Sequence, residues 1–121
     1  MNQRARDALV VAALEGRRQV FNAYRDSTGG VCGLGALLES IGELAQVDTP
    51  ESITSRGWGL LIDYFGLEGS SRCPECRDRA AIYSDPDIYA DIFLVAHLQD
   101  AHGWDFMMLA RKFPERSTDA I

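Results

Sequence analysis

The sequence predicts a mainly α, small single-domain helical fold with at most a short β-hairpin, and three observations carry that expectation. The chain has 121 residues, the length of one domain, and 46% of them are hydrophobic, enough to bury a core. Apolar side chains recur at spacings of three and four in several stretches, which is the periodicity of half-buried helices. Glycine, proline, threonine and aspartate stand between those stretches where helices start and stop.

In the first stretch, Asn2 to Tyr24, the positions Leu9, Val10, Ala13, Leu14, Val20, Phe21 and Tyr24 mark one buried helix face. Gly16 interrupts it at a cost of about 1 kcal/mol relative to alanine, so a kink or two shorter helices are expected there. Asp26 to Gly30 reads as a turn, and Val31 to Ile41 as a second helix with Leu34, Leu37, Leu38 and Ile41 on one face. Its glycines remove bulk so that another helix can approach closely. Gly30-x-x-Gly33-x-Gly35 lacks the spacing, the following Lys-Ser/Thr and the preceding strand of a phosphate loop.

Thr49-Pro50-Glu51 is a helix start, with a threonine cap and proline at the first helical position. The helix it opens carries Ile53, Gly57, Leu60, Leu61, Tyr64 and Phe65 on one face and stops at Gly66; Trp58 and Tyr64 are read as core. Ala80 to Tyr83 is expected to be a short strand. Ser84-Asp85-Pro86-Asp87 opens another helix to about Ala101, whose expected buried stripe is Tyr89, Ile92, Phe93 and Ala96. Gly103 ends it with a left-handed residue, Asp105 caps a last helix from Phe106 to Phe113, Pro114 terminates it, and the tail is expected to fray. Residues 2–66 form the helical part of the domain and 69–113 the remainder.

That remainder contains Cys73-Pro74-Glu75-Cys76, twenty residues, His97, four residues and His102. Two cysteines and two histidines are the complete donor set of a closed tetrahedral zinc site, so Cys73, Cys76, His97 and His102 are the candidate metal ligands and the domain acquires a zinc knuckle. Catalytic zinc keeps a position for water; four protein ligands point to structural Zn2+. The ligand order resembles that of two-cysteine, two-histidine zinc fingers, with a longer central gap. About nine residues lead away from Cys76, ~20–25 Å when partly bent, and a helix from Pro86 returns ~16 Å by His97. His97 and His102 differ by ~140° around a regular helix, so convergence on one ion is expected to need a helix end between them. Other readings are a Cys-Pro-x-Cys redox pair and two unrelated exposed cysteines with a core and a surface histidine. Cys32 is read as a small buried residue, with a nucleophilic thiol at a helix N-terminus, or a ligand replacing His102, as alternatives.

Net charge is −6, and residues 1 to 26 hold five arginines against three acids while the remainder is strongly acidic. An acidic body opposes attraction to phosphate backbones, so nucleic acid is not the default partner. The arginine-rich start is read as a solvated helix face. Apolar runs such as Ala8 to Leu14 and Ile92 to Leu98 fall short of the ~20 residues that cross a bilayer, and no signal-peptide pattern is present. A cytoplasmic, reducing compartment fits three cysteines used for metal rather than disulfides.

The runs Leu14-Glu15-Gly16, Tyr24-Arg25-Asp26, Gly30 to Leu37 with its Cys32-Gly33-Leu34-Gly35-Ala36-Leu37 box, Phe65-Gly66-Leu67, and His97-Leu98-Gln99-Asp100 with Gly103 and Phe106 resemble a group of small phage and bacterial proteins. That group carries a Cys-x-Leu-Gly-x-Leu box and a late Leu-Asn-Asp segment. The resemblance implies a helical single domain, phage-encoded, in a family without an assigned function; Gln99 stands where asparagine is usual, and the Cys73–Cys76 knuckle is foreign to the pattern. The expected function is a zinc-stabilised, non-enzymatic module that binds another protein, such as an inhibitor or modulator of a host protein. The alternatives are a nucleic-acid-binding, zinc-finger-like protein using Arg72, Arg77, Arg79 and the N-terminal arginines, and a Cys32- or zinc-dependent enzyme. Oligomeric state is left open.

Overall fold

The computed structural model describes residues 1–20, 30–43, 55–76 and 88–114. Five helices and a two-stranded antiparallel sheet follow in the order α1 (Gln3–Leu14), α2 (Gly33–Ser40), α3 (Ser55–Asp63), β1 (Ser70–Arg72), β2 (Ile88–Ala90), α4 (Asp91–His102) and α5 (Phe106–Lys112). The mainly α fold with a short pair of strands is therefore as the sequence predicts. The expected turn at Asp26, the start at Thr49, the strand at Ala80–Tyr83, the Ser84–Asp87 cap and the frayed tail fall outside the described residues.

α1 is opened by Asn2, whose side-chain oxygen accepts from the Ala5 amide at 3.0 Å. The same residue ties the start of the chain to the end of α3, its backbone amide donating to the Phe65 carbonyl and its Nδ2 to the Tyr64 carbonyl. α1 ends at Leu14, and Gly16 lies beyond it at φ 70°, a left-handed stop rather than a mid-helix kink. The chain then leaves helical geometry: Gln19 pairs with Val31 in a parallel bridge, so no helix resumes over Arg17–Val20. The buried face is Ala5, Leu9 and Ala12, while Leu14 is 76% exposed, correcting its expected place in the core. Two alanines on that face let α1 lie close against α5 and α2. Arg6 reaches across to the end of α5, donating to the carbonyls of Ala110 and Phe113, where a cation meets the negative end of the helix dipole.

α2 is buried along Gly33 to Leu38 and packs on α1, α3 and α4. A Cβ on Gly33 would stand 2.9 Å from Leu109 Cδ1 and 3.1 Å from Val95 Cγ1, so the expected role of glycine in close helix approach holds here. Cys32 caps α2, its Sγ accepting from the Gly35 amide at 3.3 Å. α3 buries Gly57 and Leu61, with Phe65 following, but leaves Tyr64 39% exposed, under the Arg4 guanidinium at 4.6 Å.

The chain from Ile88 is a strand before it is a helix. Ser70, Ser71 and Arg72 pair with Ala90, Tyr89 and Ile88, and α4 begins only at Asp91. This moves the helix start from the expected Pro86: sheet pairing of Ile88–Ala90, β-branched and aromatic in part, outweighs helix propagation. Asp91 sits 1% exposed at the positive end of α4, its carboxylate accepting from Ser71 Oγ at 2.6 Å and its amide donating to the Gly69 carbonyl. The buried stripe of α4 is Asp91, Ile92, Leu94, Val95, Leu98 and Gln99; Phe93 is 59% exposed, which corrects its expected burial. Apolar residues lie nearly all round this helix, so periodicity alone does not choose the core face. Asp105 caps α5 by accepting from the Met108 amide, as predicted, and Phe113 is buried after it.

Candidate metal centre

The knuckle follows the end of β1, where Arg72 pairs with Ile88, and α4 leaves the other end of the ladder, where Ala90 pairs with Ser70. Cys73 and Cys76 come from the knuckle; His97 lies on the middle of α4 and His102 is its last residue. The four side chains converge, with one donor atom from each within 4.8 Å of every other. His97 Nε2 and His102 Nε2 are 3.2 Å apart, and each is 3.3 Å from Cys76 Sγ. A tetrahedron built on Zn–S ≈ 2.3 Å and Zn–N ≈ 2.05 Å has edges of about 3.4 Å between nitrogens and about 3.6 Å between sulfur and nitrogen. The three edges among Cys76, His97 and His102 lie within a few tenths of an ångström of those, and with Cys73 inside the same 4.8 Å cluster the group could hold a metal ion.

The helix does not end between the histidines, as convergence was expected to require. α4 continues to His102, and Gly103 follows at φ 70°. Both rings use Nε2, the atom farthest from the backbone, and that reach covers the angular gap; the rings meet edge to face, 4.9 Å between centroids. Burial, and then the neighbouring His102, hold the His97 pKa below its ordinary 6.5. Burial also pushes the Cys73 thiol up. In the metal-free site both effects favour the neutral groups, and a cation supplies the positive charge that thiolates need.

Two neighbours adjoin the cluster and a third anchors the helix that carries its histidines, and sequence reasoning assigned none of them to the site. Tyr89 of β2 stacks on the His97 ring at 4.4 Å between centroids and 20° between planes. Trp104, 2% exposed just after Gly103, donates from Nε1 to the Glu75 carboxylate at 3.2 Å, joining the α4–α5 turn to the knuckle. The available signal was a large apolar residue directly after a left-handed helix stop, a position that habitually folds back on its helix. Gln99 is the third: its amide, 2% exposed, sits between the ligand-bearing helix and the start of α2.

Cys32 stands outside the ligand cluster. It is buried, and its thiol is pushed up to about 11 by burial, which outweighs the capping amides that lower it. The burial is as the sequence predicts, and the raised thiol gives the alternative of a nucleophile at the helix N-terminus no support.

A second surface feature adjoins the site. Phe93 on α4 faces Trp58 on α3, with 6.1 Å between ring centroids, and both line an apolar groove of about 380 Å³ together with Ile62, Ala90, Ile92 and Glu68. No family model, curated protein or solved structure matches the chain.

Proposed function

We propose that the chain is a zinc-stabilised, non-enzymatic module that binds another protein. The observation that carries the zinc is the convergence of Cys73, Cys76, His97 and His102 within 4.8 Å of one another, with both histidines presenting Nε2 to Cys76 Sγ. Four protein donors fill the preferred coordination of zinc, and mixed thiolate and imidazole favour it over calcium or magnesium. The ion would tie the β1 knuckle to α4, holding together one wall of the groove.

The Trp58–Phe93 groove supports the protein-binding part. Exposed Phe93 and Ile62 beside half-buried Trp58 around a concavity are the composition of interface anchors. The whole chain carries −6, so the partner would offer apolar side chains flanked by lysine or arginine. The nucleic-acid reading draws less support. Arg6 caps α5, Arg17 pairs with Glu39, and Arg4 lies over Tyr64, so three of the N-terminal arginines serve internal contacts. A host protein as partner would follow from the phage resemblance.

Metal analysis of protein purified without chelator tests the zinc: one equivalent is expected. Its removal should lower Tm by on the order of 10 °C, at about 3–6 °C per kcal/mol for a domain of this size. Zinc-free protein with an unchanged Tm after chelation would sink the reading. For the partner, Phe93→Asp should abolish capture of whatever the wild type retains while leaving zinc content intact.

A further inference from the structure

We infer that the centre is also an oxidant-sensitive release point, in which peroxide converts the Cys73–Cys76 pair to a disulfide and frees the zinc. This rests on the zinc-stabilised reading above. The geometry supplies the parts. The two thiols are separated by two residues, and their sulfurs belong to one cluster spanning no more than 4.8 Å. Cys76 is half-exposed and Cys73 is 0% exposed, so an oxidant meets Cys76 first and Cys73 waits behind it.

Cys32, the third thiol, is 6% exposed and engaged as the α2 cap. It is kept in the thiol form at neutral pH, so oxidation is directed to the knuckle. The pair is also the right length: two residues between cysteines close a small disulfide ring, as in redox-active Cys-x-x-Cys motifs.

The steps balance. Cys76 thiolate attacks one peroxide oxygen, the O–O bond breaks, and a sulfenic acid and hydroxide form. Cys73 thiolate then attacks the Cys76 sulfur, the S–S bond forms, and the S–O bond breaks with loss of a second hydroxide. Two protons turn both hydroxides to water; the sulfurs together lose two electrons and peroxide gains them. The zinc keeps its charge but loses both thiolate donors, and two imidazoles alone hold it weakly.

The consequence follows from what else links the knuckle to the helices. Glu75–Trp104 is a side-chain hydrogen bond that joins the knuckle to the α4–α5 turn without passing through a ligand. Freed of metal, the knuckle would keep that bond, and β1 would keep its pairing with β2 and the Ser71–Asp91 hydrogen bond.

The test starts with protein reconstituted with zinc under reducing conditions, then freed of reductant. If no zinc binds at this stage, the zinc-stabilised reading itself fails. If one equivalent binds, micromolar to millimolar hydrogen peroxide is added and zinc is followed with a metallochromic chelator. The expected result is one zinc released per disulfide, a mass about 2 Da below the reduced metal-free chain, and a Cys73–Cys76 peptide on mapping. A dithiol with added zinc restores the starting state, and Cys32→Ser behaves as wild type. Zinc retained at peroxide levels that oxidise the metal-free protein, release with sulfinic acid instead of disulfide, or a bond involving Cys32 would each overturn the inference.

Discussion

Replacing Gln99 by leucine should destabilise the protein by about 2–4 kcal/mol without touching the metal. The Gln99 amide makes four hydrogen bonds. Its Oε1 accepts from the Gly33 amide at 2.8 Å and from Gln19 Nε2 at 2.9 Å, while its Nε2 donates to the Val20 carbonyl and to Asp100 Oδ1, both at 3.0 Å. Leucine has similar volume and none of these groups. Gln19 Nε2 keeps the Trp104 carbonyl as a partner, and exposed Asp100 can turn to water. The Gly33 amide, buried in the first turn of α2, is orphaned at a cost of about 1–3 kcal/mol, and the half-buried Val20 carbonyl adds about 1 kcal/mol. Urea unfolding is the assay. With a slope near 2 kcal/mol/M, the midpoint should fall by about 1–2 M with the slope unchanged, and by the same amount with zinc chelated. A shift below about 0.3 M would refute the reasoning, because it would mean that these bonds exchange freely with water.

Cys76→Ser, which removes the sulfur touching both histidines, should lower zinc affinity at least about 100-fold in competition with a chromogenic chelator while the helical far-UV signal persists. Trp104→Phe keeps the buried ring but removes the Nε1 donor to Glu75, and should weaken zinc binding about 10-fold with one equivalent still bound at saturation. Gly33→Ala pushes a methyl to 2.9 Å from Leu109 and should cost about 1–3 kcal/mol by urea unfolding. In metal-free protein the lowered pKa of His97 means that the unfolded chain takes the proton first; stability is full above about 6.5 and declines as pH falls through the depressed folded value, seen as a lower urea midpoint at pH 5.5 than at 7.5.

The cluster was legible because coordination chemistry leaves its mark in residue type and spacing: Cys73, Cys76, His97 and His102 stand in an order that suits a metal, and the fold brings them together. Helix ends at Gly66 and Gly103 and the Asp105 cap were legible for a similar local reason, since a left-handed turn or an orphaned amide is answered by residues next door. The face of α4 was not. Its residues are apolar nearly all round, so pairing of β2 with β1 and packing on α2 decided that Leu94, Val95 and Leu98 go inward and Phe93 outward.

Local chemistry therefore determined by itself the helical class, several helix stops and the four donors. Only tertiary structure decided that Ile88–Ala90 would be a strand, that both histidines would converge from one unbroken helix, that Trp104 and Tyr89 would adjoin them, and that Gln99 would anchor their helix to α2. Each of those outcomes depends on partners more than ten residues away in the chain or on the reach of a side chain in space, and neither is recorded in a local pattern.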